Sequence, residues 1–217
     1  MGSRITRVAV AIASLLAVAC SESPAMPTQT TTGSSGPDAT FVADALNYWA
    51  GVLGVTVSTT DTNTQPRILF REGTDGLGSG AAGRALIDGA DAANWATSGL
   101  VVVRPGVASR YLYRHEMGHA LGFLDHSDGG LMAASGGPEV LSDRERRMMV
   151  ALYSLPAGTR VEADGRWVGP QGEAGQIEPE AAGDILRFNV NAVAGSGVRR
   201  PGLTCRWASP ARVFVQR

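Results

Sequence analysis

"HEMGHALGFLDHSDGGLM", residues 115–132, contains every histidine of the chain: His115, His119 and His126 are the only three among 217 residues. His115 and His119 stand four apart with Glu116 between them. On a helix, residues at i and i+4 project from adjacent turns of one face, so both imidazoles can reach one cation. Burying the trio without partners for its polar atoms would be costly, which argues against a packing role. Three residues past His119 comes Gly122, a residue that tolerates positive φ and can turn the chain back sharply. Asp125 and His126 follow at once, either of them able to complete a ligand set, and Met132 lies a few residues further on.

Zinc suits these donors. It takes neutral imidazole nitrogens at about 2.0–2.1 Å, and its catalytic sites keep three protein ligands plus a water. Glu116 lies beside the first ligand, on the side where that water would sit. An ionised carboxylate only accepts, so it can take the water's proton and pass it on. Zinc lowers the pKa of such a water to about 7, which makes a nucleophile available at neutral pH.

The run HExxHxxGxx(H/D) followed by a methionine resembles the metzincin clan of zinc endopeptidases, and "HEMGHALGF…HS" is most similar to the matrixin family. The resemblance covers roughly residues 38–155 in the order of elements and is specific over 115–132. It implies an α+β fold of the zincin type, with a twisted mixed sheet over a central active-site helix and a C-terminal helix beneath. It also implies Met132 as the apolar floor of the metal site (the Met-turn), Glu116 as general base, and one catalytic Zn2+. The substrate would be a protein or peptide in extended conformation, lying antiparallel to the edge strand of the sheet as an added strand. "LVVVRPG", residues 100–106, is the candidate edge strand.

The third ligand stays open at this level. Strict metzincin spacing selects Asp125, six residues after His119, as in snapalysin-type members where Asp is followed by His. Matrixin-like bacterial sequences with one extra residue before "HS" select His126. Imidazole is the better neutral donor, so the reading favours His115, His119 and His126, with Asp125 as the alternative third ligand and otherwise an outer partner. Two family features are missing. No propeptide cysteine is present to plug the zinc, and the tyrosine that follows the methionine in some metzincins is replaced by Ala133 and Ala134. Support for the oxyanion would then fall to zinc and backbone.

Outward from this window, Arg4 and Arg7 precede the apolar "VAVAIASLLAVA" (8–19), which has signal-peptide length and is too short to span a bilayer as a helix. It ends in "LAVAC", which resembles a bacterial lipobox with Cys20 as the lipidated residue. The rival is simple cleavage after the A-x-A of Ala17–Val18–Ala19. Either way the expectation is an exported bacterial protein, lipid-anchored at the envelope or else secreted. The Ser/Thr/Pro-rich segment 21–37 reads as a flexible tether. Residues 1–20, 21–37, 38–156 and 157–217 are thus read as leader, linker, catalytic domain and β-rich extension. With 19 basic and 20 acidic residues, nothing points to nucleic acid, and membrane contact is expected only through the lipid anchor. The protein is expected to be a monomer. Cys205 is left as a small buried apolar residue.

Asp38 and Gly54 bracket a first helix, with Phe41, Ala45, Trp49 and Val52 on one face. Strand-like runs follow at 55–59, 67–72, 84–88 and 100–105, and the site helix starts near Ser109. Ser142 and Glu145 have the spacing of a capping box for a third helix closed by Pro156, with Met148, Met149, Leu152 and Tyr153 inward. Beyond it, a hairpin is expected around Asp164–Gly165, with "ILRFNVNAV" and "RVFVQR" as strands. Asp128 between glycines reads first as a turn, and a structural Ca2+ has no other support. Arg110 and Arg114 read as a solvated face. The functional alternative to a zinc endopeptidase is a surface lipoprotein that keeps the same fold as a binding module, against which the intact Glu116 speaks.

Overall fold

A computed structural model describes residues 18–21, 37–55, 57–60, 67–90, 95–189, 206–207 and 211–215. Most of the apolar leader run, most of the linker, and Cys205 lie outside the described residues. The fold is α+β. Strands β1 (Val18–Ser21), β2 (Val57–Thr60), β3 (Arg67–Glu72), β4 (Ala81–Ala90) and β5 (Trp95–Val103) surround helix α1 (Ala39–Leu53) in sequence, and helices α2 (Arg110–Ala120) and α3 (Asp143–Ser154) follow. The remaining elements are β6 (Arg160–Val161), β7 (Arg166–Val168), β8 (Ala174–Gln176), α4 (Pro179–Phe188), β9 (Arg206–Trp207) and β10 (Ala211–Val215).

The main sheet runs β1-β4-β5-β3-β10-β2, with β9 pairing β5. It is mixed: β5, β3, β10 and β2 are parallel, whereas β4 is antiparallel to β5 and to β1. "LVVV" is therefore not at an edge. Its strand, β5, is flanked by β3 and β4, and Val101, Val102 and Val103 are buried. An unbroken apolar run is what an interior strand covered on both faces requires. The strand beside the site helix is β4. Of the chain's own backbone, Val18–Ser21 pairs along its outer side, with Ala19 opposite Arg84 and Ser21 opposite Ala81.

The helices follow their sequence signals closely. Asp38 accepts from Thr40 N–H at the start of α1, and Gly54 ends it at φ 63°. Ser109 caps α2 through Leu112 N–H. At α3 both halves of the Ser142–Glu145 capping box are present. The core lies between the sheet and α1, α2 and α3, where Trp49, Phe70, Tyr113, Met117 and Met148 are fully buried. Trp49 Nε1 donates to Arg114 O at 2.8 Å, and Tyr113 stacks on Phe70 with centroids 6.0 Å apart, so α2 is gripped from α1 and from β3. Arg114 departs from the solvated role expected of it. It lies over the Tyr48 ring and forms a two-toothed pair with Asp44 at 2.6 and 3.0 Å, which ties α2 to α1, while Arg110 remains exposed. Its planar fork suits such a bidentate carboxylate contact.

The C-terminal stretch differs most from expectation. β6, β7 and β8 form a small antiparallel sheet around the Asp164–Gly165 turn, and β10 enters the main sheet between β3 and β2. "ILRF", however, is helix rather than strand. Pro179 starts α4, and Ala181, Ala182, Ile185 and Phe188 are buried at helical spacing. Reading from Ile185 onward shows alternation only because it omits the first turn, where Pro at the first helical positions is a start signal.

Candidate metal centre

Helix α2 carries His115, Glu116 and His119, all buried. After Leu121 the chain turns at Gly122, φ 116°, and comes back over the helix face. The returning segment is held from both sides. Phe123 N–H donates to Gly118 O, Leu124 N–H to Phe188 O, and the Asn189 side-chain amide to Gly122 O at 2.8 Å. Phe123 also stacks on Phe188. This path brings His126 to the pair. Donor nitrogens of His115, His119 and His126 all lie within 4.8 Å of one another, a group able to hold a metal ion. The His126 ring lies 5.4 Å from that of His115 and 4.8 Å from that of His119. Asp125 is exposed and bends onto its own backbone, Oδ1 accepting from His126 N–H at 2.8 Å. It is not among the gathered ligand atoms.

The hydrogen bonds of the two helix histidines fix their tautomers. His115 Nδ1 faces Leu131 O at 2.7 Å, and His119 Nδ1 faces Phe123 O. A carbonyl oxygen only accepts, so each Nδ1 carries the proton and each Nε2 is left with a lone pair. The two Nε2 atoms face each other at 3.0 Å. Two neutral imidazoles with lone pairs aimed at one point repel unless a cation lies between them. The donor set therefore fits a metal ion.

Burial keeps these rings neutral. Desolvation moves His115 from its ordinary 6.5 down to about 4, overriding the Leu131 carbonyl that favours the charged form, and His126 adds to the lowering. His119 lies well below its usual value, first through burial and then through the charges of His115 and His126. Burial also lowers His126, against an opposing effect of Asp125. In the metal-free protein the unfolded chain then binds protons below about pH 6.5 that the folded chain refuses until about pH 4. More protons bound when unfolded means that stability rises with pH, so it is complete above that window and lost as pH falls through it. Denaturant midpoints of metal-free protein at about pH 7, 6 and 5 should fall in that order. A flat series would show that the imidazoles are not buried neutral.

Glu116 is fully buried beside this pair, under β4. A Cβ at Gly83 would stand 2.7 Å from Glu116 Oε1, so only glycine lets the β4 backbone approach so closely. Met132 is buried against α2, where a Cβ on Gly118 would meet its sulfur at 2.5 Å and Trp49 at 2.7 Å. Its own backbone oxygen accepts from Ser127 N–H at 2.9 Å, which closes the loop between His126 and Met132. Asp128, in that loop, is exposed and faces Arg144 and Arg187, each at 3.7 Å. Cys20 belongs to β1, beside β4.

Two residues at the site carried no functional mark in the sequence. Tyr111, one turn before His115 on the same helix, places its hydroxyl 3.2 Å from His115 Nδ1 and donates to Ala133 O. The i, i+4 spacing to His115 was its only signal. Glu145 was legible as a helix cap, but its reach into the Met132 loop was not. No protein-family model matches the chain, nor does any curated protein or any solved structure.

Proposed function

We propose that the chain is an exported zinc-dependent endopeptidase of the metzincin type, matrixin-like in its site. His115, His119 and His126 hold the ion, Glu116 is the general base, and Met132 floors the site. The observation that carries this reading is the pair of Nε2 lone pairs facing at 3.0 Å, with Glu116 buried alongside. Two ligands at about 2.05 Å from a tetrahedral zinc stand roughly 3.3 Å apart, close to that separation. The order of elements (mixed sheet, site helix, sharp turn, methionine loop, following helix) is similar to that of a metzincin catalytic domain. When bound, zinc lowers the pKa of a coordinated water to about 7 and polarises a carbonyl.

The chain's own residues do the rest. The Nδ1–H bonds hold two imidazoles in the donating tautomer, and Glu116 accepts a proton and returns it to the leaving amine. β4 is the strand along which an extended peptide would align. In the described chain Val18–Ser21 takes that antiparallel position, the geometry expected of a substrate. Processing for lipidation at Cys20 would cut before that residue and remove Val18 and Ala19. That opens the edge of β4 opposite them, at Ala85 and Arg84, while Ser21 stays opposite Ala81. An acyl chain on Cys20 in mass spectra of the membrane-associated protein tests the anchor, and a soluble, unacylated mature form would replace it with plain secretion. Hydrolysis of casein, abolished by a chelator and restored by Zn2+, is the expected result for the activity. Tight Zn2+ binding with no hydrolysis of any extended substrate would favour the binding module instead.

A further inference from the structure

Glu145 is a buried carboxylate that does more than cap α3. Its Oε2 accepts from Ser142 N–H at 2.7 Å and Leu131 N–H at 3.1 Å. Its Oε1 accepts from Met132 N–H at 2.9 Å, and the Ser127 hydroxyl lies against the same atom. Gly130, at φ 84°, makes the approach possible: a Cβ there would fall 2.0 Å from Oε2.

The Met132 N–H and the Leu131 carbonyl belong to one peptide group. Glu145 holds the N–H end, and His115 Nδ1–H donates to the C=O end at 2.7 Å. We propose that Glu145 is a positioning residue for the ligand His115, acting through the Leu131–Met132 peptide as a carboxylate–peptide–histidine relay. A carboxylate drawing on the N–H polarises the whole amide, because resonance couples nitrogen to oxygen. The carbonyl becomes a stronger acceptor, which fixes the Nδ1–H tautomer of His115, holds its ring, and makes Nε2 a better donor. Metal-bound histidines commonly bond a carboxylate or a carbonyl through their other nitrogen. Here both are used in series, and the charge stays off the histidine itself. The relay also joins neighbouring parts of the site, since the same carboxylate holds Ser127, next to His126 in the chain, and the backbone of Met132, which packs against α2.

The inference rests on the metal-site reading, and the test separates the two. Zn2+ affinity is measured by competition with a chelating dye, without reference to turnover, for wild type, Glu145→Gln and Ser142→Ala. Gln turns an amide donor toward N–H groups that need an acceptor, so Glu145→Gln should bind Zn2+ about 10–100-fold more weakly, the usual cost of losing an outer partner. Ser142→Ala removes the cap hydroxyl of the same box but not the carboxylate, so its melting temperature should fall while its Kd stays at the wild-type value. Equal losses of affinity in the two variants, or an unchanged Kd in Glu145→Gln, would overturn the relay and leave the metal site standing. A wild type that binds no Zn2+ would overturn both. Should Glu145→Gln fail to fold, nitrogen-15 spectra of metal-free wild type decide. A His115 Nδ1–H tautomer with a slowly exchanging Met132 amide supports the relay, and the opposite tautomer or a rapidly exchanging amide overturns it.

Discussion

Glu116→Gln should keep the fold and the metal and lose nearly all hydrolysis, by on the order of 10²–10⁴-fold or more. The substitution replaces one carboxylate oxygen by an amide nitrogen of the same size, which matters where Gly83 leaves no spare room: even a methyl there would stand 2.7 Å from Oε1. Packing is preserved while the acceptor of the proton is removed. The His115 and His119 imidazoles do not depend on Glu116 for their Nδ1 partners, which are the Leu131 and Phe123 carbonyls. Zn2+ content of the purified variant and its melting temperature should therefore match wild type while casein turnover collapses. Retention of more than about half the wild-type rate would remove Glu116 from the base role.

The second large effect concerns the third ligand. His126→Ala should weaken Zn2+ binding by more than the roughly 100-fold that loss of an outer partner can cost, because it deletes a ligand and leaves two. Asp125→Ala should cost less than about 10-fold, since Asp125 touches only the backbone N–H of His126 and faces solvent. The two residues are adjacent, so their variants perturb the same loop about equally, and any large difference between them reports coordination rather than loop stability. Competition titrations with Zn2+ on both variants check it. Were Asp125→Ala to lose the metal and His126→Ala to keep it, the ligand set would be the snapalysin-like one.

How much of this was readable from residues alone follows the range of the interactions. Helix α2 and the neighbourhood of His115, Glu116 and His119 are local matters, set by the 3.6-residue period, a serine cap and a glycine stop within a dozen residues. The same holds for α1 and for the capping box of α3, whose signals lie within three or four residues of the ends they mark. The strand runs before the site helix were legible, but their order in the sheet was not, and "ILRF", expected as strand, is helix in α4. "LVVV" went from supposed edge to interior because β3 and β4 pair along its two sides, a register that only the folded sheet decides.

The choice between Asp125 and His126 is of the second kind. Both stand in the right window, and one residue of difference in the path from Gly122 decides which side chain turns inward. That path is held by Phe188 and Asn189, more than sixty residues away, through the Leu124 N–H, the Gly122 carbonyl and the Phe123–Phe188 stack. The carboxylate of Glu145 likewise announces itself locally as a cap, and only the folded loop turns it toward the peptide behind His115. Residue type and spacing settle which chemistry is possible, because donors and helical faces are short-range properties. Which donor arrives, and what steadies it, depends on contacts that exist only once distant elements have packed.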